Sequence, residues 1–269
     1  MYKRLLYKRF LGLAGAAALF GTSAYAADLA PVPMYKAPPP MIMAPQTWTG
    51  FYIGADVGGL WSRSDASWDP LPSPAAFGAN ATAGGTGGSS FVGGVHVGYN
   101  YQLTPSWVIG LEGDWSWTHA DGSNTQLWTV PGTGAPFGGG AATTLSSSLD
   151  WLASVRGRVG YLITPTLMAY GTGGAAWGRV HDSATASDPA SGYVASTSLS
   201  TTGDGFVVGG GLEWALTPHW SVRGEYLYYH LYTGESAVAA AAGFPGFPSG
   251  FNFSNTNVSV ARGGLSYKF

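Results

Sequence analysis

The sequence predicts an all-β fold, an eight-stranded antiparallel up-and-down transmembrane β-barrel with three short periplasmic turns and four long extracellular loops. The first observation is a repeated punctuation. Tyr101-Gln102-Leu103-Thr104-Pro105-Ser106-Trp107, Tyr161-Leu162-Ile163-Thr164-Pro165-Thr166-Leu167 and Trp214-Ala215-Leu216-Thr217-Pro218-His219-Trp220 each set a Thr-Pro between two runs that alternate apolar and polar residues. Two such runs about a short turn form a β-hairpin, and proline suits the turn because its φ is preset. One further alternating run precedes the first hairpin and one follows the third, which completes eight strands with short turns at one end and long loops at the other. The second observation is sidedness, since the charges and the aromatic rings of these strands fall on opposite faces.

Export is written at the N-terminus. Lys3, Arg4, Lys8 and Arg9 precede the apolar stretch Leu11 to Phe20 and the small-x-small site Ala24-Tyr25-Ala26, so residues 1–26 read as a secretory signal peptide. Neither that stretch nor any later one reaches the roughly 18 consecutive apolar residues of a spanning helix. Residues 27–47 hold Pro31, Pro33, Pro38, Pro39, Pro40 and Pro45 and read as an extended periplasmic leader, which leaves 48–269 as the barrel domain. Charged residues are only 10% of the chain, Trp and Tyr number 11 and 15, and there is no Cys. That composition opposes disorder and leaves neither disulfides nor thiolate chemistry. A net charge of −2 without basic clusters excludes nucleic acid as a partner.

Successive side chains of a strand point to opposite faces, so parity assigns inside and outside. In the first strand Phe51, Ile53, Ala55, Val57 and Trp61 oppose Asp56, and in the second Phe91, Val95, Val97, Tyr99 and Tyr101 oppose His96, Asn100 and Gln102. The third sets Trp107, Ile109, Leu111, Trp115 and Trp117 against Glu112, Asp114 and Ser116, and the fourth Trp151, Ala153, Val155, Val159 and Tyr161 against Ser154, Arg156 and Arg158. The fifth, Leu167 to Val180, is so rich in Gly and Ala that neither Tyr170 nor Trp177 can be assigned to lipid. The sixth opposes Val208, Leu212, Trp214 and Leu216 to Glu213, and the seventh Trp220, Val222, Tyr226 and Tyr228 to Arg223 and Glu225. In the last, Ala261, Leu265, Tyr267 and Phe269 oppose Arg262, Ser266 and Lys268.

An Arg or Lys on the lipid face at mid-bilayer costs roughly 2 to 4 kcal/mol, so the aromatic face must be the outer one. The lumen then collects Asp56, Glu112, Asp114, Glu213 and Glu225 with Arg156, Arg158, Arg223 and Arg262, expected as an ion-pair network that glycines make room for. Arg63, Arg179 and Asp204 fall on the outer parity at the outer rim, where the penalty fades, and Val258 and Val260 sit on the inner parity against the pattern. A soluble lipocalin-like barrel shares strand number and export but would reverse the sidedness, with an apolar cavity inside. Two clusters of rings, Trp107, Tyr161, Trp214 and Trp220 at the turn end and Trp61, Trp115, Trp117 and Trp151 at the loop end, are placed as interfacial girdles.

Eight strands enclose an interior that side chains fill, which argues against a steady diffusion pore. The loops are expected over Ser64 to Ser90, Ala120 to Ser148, Asp182 to Gly203 and Thr233 to Thr256, rich in Gly, Ala, Ser and Thr. His181-Asp182-Ser183 and His119-Ala120-Asp121 supply residue types of nucleophilic catalysis, but adjacency in sequence is not a triad, and no catalytic, metal or cofactor residue is assigned. His96 reads as a hydrogen-bonded lumen residue, and Gly84-Gly85-Thr86-Gly87-Gly88 lacks the Lys of a phosphate loop.

The chain ends Arg262-Gly263-Gly264-Leu265-Ser266-Tyr267-Lys268-Phe269, where Gly264, Leu265, Tyr267 and the terminal Phe269 resemble the assembly signal of outer-membrane barrels. Trp48-Thr49-Gly50-Phe51-Tyr52-Ile53-Gly54, Gly98-Tyr99-Asn100-Tyr101-Gln102, Gly110-Leu111-Glu112-Gly113-Asp114 and Val155-Arg156-Gly157-Arg158-Val159-Gly160-Tyr161 carry a wider likeness, as does Leu216-Thr217-Pro218-His219-Trp220-Ser221-Val222-Arg223-Gly224-Glu225-Tyr226. Over Trp48 to Phe269 the chain resembles the porin-family outer-membrane β-barrel domain, the small bacterial surface antigens that include opacity-like and haem-binding outer-membrane proteins. The resemblance implies a barrel in a Gram-negative outer membrane that contributes to envelope integrity and external contact, and it implies no catalytic site. The expected partners are outer-membrane lipid, the barrel-assembly machinery and an extracellular or host ligand at the loops, with the oligomeric state left open. Haem binding is the alternative it raises, for which Tyr193, His119, His181 and His230 are the available ligands, with a lipid-modifying enzyme behind it. Deletion of Phe269 should lower the amount of folded, heat-modifiable barrel in outer-membrane fractions, and unchanged levels would remove the assembly signal.

Overall fold

Backbone groups of a membrane-spanning sheet have no water to bond, so such a sheet must close on itself. The computed structural model, which describes residues 47–70, 83–130, 133–136, 138–242 and 244–269, closes in that way. The expected signal peptide and the leader up to residue 46 lie outside the described residues. The strands are β1 (Gly50–Pro70), β2 (Ala83–Gln102), β3 (Trp107–Leu127), β4 (Ala142–Thr164), β5 (Leu167–Asp188), β6 (Tyr193–Ala215), β7 (Trp220–Tyr232), β8 (Glu235–Ala242), β9 (Phe244–Phe253) and β10 (Thr256–Lys268). Sequence neighbours pair antiparallel from β1 to β7, β7 pairs β10, and β10 returns to β1 from Tyr52↔Lys268 to Arg63↔Asn257, a ring of eight.

Farther out, the last hairpin breaks at Thr233-Gly234 and Ser254-Asn255, and β8 and β9 take over its two places in the wall. There β9 pairs β1 at Ala66↔Phe253 and β8 pairs β6 at Val194↔Ala242. Side chains bridge the break, with the Thr233 and Thr256 hydroxyls 2.9 Å apart and the Gly234 amide donating to Asn255 Oδ1 at 3.3 Å.

Much of the sequence expected as loop is strand. Strand β5 continues to Asp188, β6 resumes at Tyr193, and only residues 189–192 connect them. The reason is weak contrast. In these outer stretches the buried positions are small, as at Ala184, Ala186 and Ala195, and the partners facing outward are Ser and Thr, so a genuine period of two resembles loop composition. A strand of 22 residues such as β5, at ~3.3 Å per residue and ~40° tilt, rises roughly 55 Å against an apolar band of ~25 Å. About half the wall therefore stands outside the band.

Parity holds around the ring. Phe51, Val95, Leu111, Val155, Val208, Tyr226 and Leu265 are exposed on the outer face, while Asp56, His96, Glu112, Arg156, Glu213, Arg223 and Arg262 are buried. The fifth strand resolves, because Tyr170 is 7% exposed within the lumen and Trp177 is 39% exposed outside. The interior is layered rather than uniformly polar. Trp48, Val108, Leu162, Met168, Tyr170 and Ala215 fill the turn end, and Leu60, Leu152, Val207, Leu227, Val258 and Val260 lie beyond the charges, which accounts for the two valines. Trp128, Leu145, Tyr193, Phe251 and Phe253 fill the outer extension.

Candidate functional site in the barrel lumen

The strands bring the nine lumen charges into one network. Arg156 pairs with Glu112 at 2.5 Å, Asp114 at 2.9 Å and Glu225 at 3.4 Å, and Arg262 with Glu225 at 2.6 Å, Asp114 at 3.5 Å and Asp56 at 3.9 Å. Arg223 spans the hollow from β7, reaching Glu112 on β3 at 2.5 Å, Asp56 on β1 at 3.0 Å and its neighbour Glu225 at 3.4 Å. Arg158 meets Glu213 at 2.7 Å and Glu112 at 3.6 Å. Register produces part of this, since Glu112↔Arg156 and Glu225↔Arg262 are direct cross-strand partners. Arg156–Asp114 and Arg262–Asp56 are diagonal pairs on neighbouring strands, whereas Arg223–Glu112, Arg156–Glu225 and Arg262–Asp114 are contacts across the lumen, which pairing of neighbouring strands does not foretell.

Neutral groups complete the coordination. The Tyr52 hydroxyl donates to Glu112 at 2.8 Å and accepts from Arg158 at 3.2 Å, while Tyr170 donates to Glu225 at 3.1 Å and its ring lies 4.0 Å from the Arg158 guanidinium carbon. Ser154 donates to Asp114 at 2.5 Å and Ser221 to Glu213 at 2.7 Å. His96 sits between Asp56 at 2.7 Å and Ser266 at 2.9 Å. Close packing explains two glycines: a Cβ at Gly54 would strike the His96 ring, and one at Gly264 would strike the Asp56 carboxylate. Tyr52 and Tyr170 were missing from the sequence-derived set. Tyr52 shares the parity of Asp56 and could have been found; Tyr170 lies in the Gly-rich strand whose faces carry no contrast.

The three Thr-Pro turns lie between β2 and β3, β4 and β5, and β6 and β7. Beyond the φ of Pro105, Pro165 and Pro218, the hydroxyls of Thr104, Thr164 and Thr217 accept from the amides of Trp107, Leu167 and Trp220 at 3.1, 3.0 and 3.0 Å. Trp48 is buried at this end and donates from Nε1 to the Pro165 carbonyl at 3.1 Å. At the C-terminus Leu265 and Phe269 are exposed, the Phe269 amide donates to the Phe51 carbonyl at 3.0 Å, and Tyr267 stacks edge-on with Trp220 and Phe269. Gly264 faces the lumen network.

Strand alternation separates the neighbours expected near the outer rim. His181 and Ser183 face outward, whereas Asp182 is buried on the inner side, where burial pushes its carboxyl above the usual range. Arg63, Arg179 and Asp204 are exposed on the outer face. Of the residues considered for haem, Tyr193 is 2% exposed and bonded to Ser249 at 2.6 Å, and His230 is bonded to Asn257 at 2.7 Å.

A closed antiparallel ring, apolar outside and ion-paired within, defines an outer-membrane β-barrel. Residues 14–269 match the outer membrane protein beta-barrel domain, and the chain belongs to that family. It is 36% identical over 261 residues to the 31 kDa outer-membrane immunogenic protein of Brucella melitensis biotype 1, covering 96% of this chain and 98% of that one. It is also 32% identical over 182 residues to the 22 kDa outer membrane protein of Rhizobium leguminosarum bv. viciae, covering 68% and 64%. Among solved structures, the outer membrane protein OprG from Pseudomonas aeruginosa aligns at 16% identity and a TM-score of 0.40, over 82% of this chain and 96% of that one. The protein is thus an outer-membrane protein.

Arg223→Ala would leave Asp56, Glu112 and Glu225 short of a partner in a desolvated site, a loss of about 3 to 5 kcal/mol for a broken buried pair. Urea unfolding of the refolded barrel should show it as a lower midpoint. A change below about 1 kcal/mol, the range of an exposed pair, would contradict a dry lumen.

Proposed function

We propose that this chain is a structural surface barrel, contributing to envelope integrity and to contact with the outside, with a lumen closed by its ion-pair network and not open as a pore. The observation that carries the reading is the central charged layer, whose side chains meet across the hollow between two apolar layers. A solute would have to part ion pairs in a low dielectric, where separating one partner is costly. This role asks no chemistry of the chain. The wall that stands beyond the apolar band supports external contact, and the name of the Brucella relatives, which calls them immunogenic, supports exposure of that wall at the cell surface.

Residues 1–26 serve export in this account, and 27–47 stay on the periplasmic side. Burial of Trp48 among the Thr-Pro turns supports that side, since it sets the start of the barrel domain at the turn end. Planar-bilayer recording from heat-modifiable, refolded protein is expected to give no steady conductance at neutral pH. Large, lasting steps from the monomer would overturn the closed lumen, and a deletion strain with unaltered resistance to bile salts and large antibiotics would overturn the envelope role.

A further inference from the structure

The outer surface of the extension carries an arrangement that the structural role does not use. Against β5, Leu149 and Trp151 of β4 pair with the consecutive residues Val180 and Arg179, which leaves Asp150 over, and against β3 the register passes from Trp117↔Trp151 to Ala120↔Leu149, with Thr118 and His119 opposite Asp150. Asp150 is therefore the extra residue of a bulge, a device that re-aims a side chain. Its carboxylate meets the neighbouring strand: His181 Nε2 lies 2.8 Å from Asp150 Oδ2. On the other side of the same ring, the Ser200 hydroxyl donates to His181 Nδ1 at 2.5 Å. Ser148, His181 and Ser200 stand in one cross-strand row over β4, β5 and β6.

This acid–imidazole–hydroxyl chain borders a groove of about 440 Å³ lined by Asp121, Ser146, Ser148, Ser183, Ser198 and the relay residues His181 and Ser200. The size falls in the range of small-molecule sites, ~300–1,000 Å³. The His181 and Asp150 side chains are 38% and 37% exposed and Ser200 is exposed, so a ligand can reach all three. Trp151, adjacent to Asp150, stacks on Trp115 at 4.5 Å, which sets the relay just beyond the outer ring of indoles, at the level of lipid headgroups. Arg179 is exposed on the same face opposite Thr202, a diagonal neighbour of Ser200 at about 7–8 Å between Cα atoms.

We propose that Asp150, His181 and Ser200 form a nucleophilic serine site for carboxylic esters on the outer face of the barrel. Ser200 Oγ adds to the ester carbonyl while its proton passes to His181 Nδ1, and Asp150 holds the ring through the Nε2–H and balances the imidazolium. Arg179, exposed on the same face, supplies the positive charge for the oxyanion. Collapse returns the proton from His181 to the departing alcohol and leaves acyl-Ser200, and a water molecule then releases the carboxylic acid by the same relay. The site departs from the non-catalytic expectation because its members come from three strands, which neighbouring residues in sequence could not reveal. It is independent of the closed lumen, and either can fail without the other.

The test uses full-length mature protein, refolded and checked for its heat-modifiable shift, with a fluorophosphonate probe, the soluble ester p-nitrophenyl butyrate and phosphatidylcholine vesicles. The wild type is expected to be labelled at Ser200 and to release acid. Ser200→Ala should abolish labelling, Asp150→Asn and His181→Gln should slow acylation about 100-fold or more, and His230→Gln, at a histidine bonded to Asn257 away from the groove, should change nothing. Release from the soluble ester alone identifies a free substrate, and release from vesicles a lipid of the outer leaflet. Folded wild type that is neither labelled nor active, or labelling that survives in Ser200→Ala, would overturn the proposal.

Discussion

Charge that cannot face hydrocarbon has to be placed somewhere, and in a narrow barrel the hollow is the place that remains. Five carboxylates and four guanidiniums meet there, and the groups that contact them come from every wall: Asp56 on β1, His96 on β2, Glu112 on β3, Arg156 on β4, Tyr170 on β5, Glu213 on β6, Arg223 on β7 and Arg262 on β10. A slip of one residue between any two strands would turn such a group toward lipid. The network therefore specifies register for the whole ring, beyond what hairpin turns specify for adjacent strands. Whether buried ion pairs add stability over apolar filling is a separate matter, because their desolvation offsets much of their attraction.

The apolar layers on either side follow from the same constraint. An ion pair strengthens as water is excluded, and Met168 and Leu162 toward the periplasm and Leu227 and Val260 toward the outside do the excluding. Glycines at Gly54 and Gly264 let the His96 and Asp56 side chains of the adjoining strands lie across the backbone. With ion pairs and apolar side chains filling the centre, the outer extension is free to carry polar surface, and the groove around His181 belongs to that part.

Much of this was legible in sequence wherever neighbouring positions differ strongly in polarity. Arg156 and Arg158 between Val155 and Val159 could only be read one way, and the repeated Thr-Pro located the turns. Legibility failed where contrast vanished. Gly171, Gly173 and Gly174 hid the facing of β5, and the Ala and Ser alternation of residues 183–187 hid strand inside apparent loop. Periodicity also carries no information on contacts made across a lumen, so the pairing of Arg223 with Glu112 is visible only in the folded ring, and the bulge at Asp150 breaks the parity that would have assigned its partner.

Opposite walls are coupled through ions shielded from water. A double-mutant cycle of Glu112→Gln and Arg223→Gln, scored by unfolding of the lipid-embedded barrel, addresses that coupling most directly, since these residues lie on β3 and β7 and share no ladder. A coupling of about 1.5 kcal/mol or more is expected, within the range for residues of one buried network. Additive single effects, within ~0.5 kcal/mol as for distant independent sites, would contradict it.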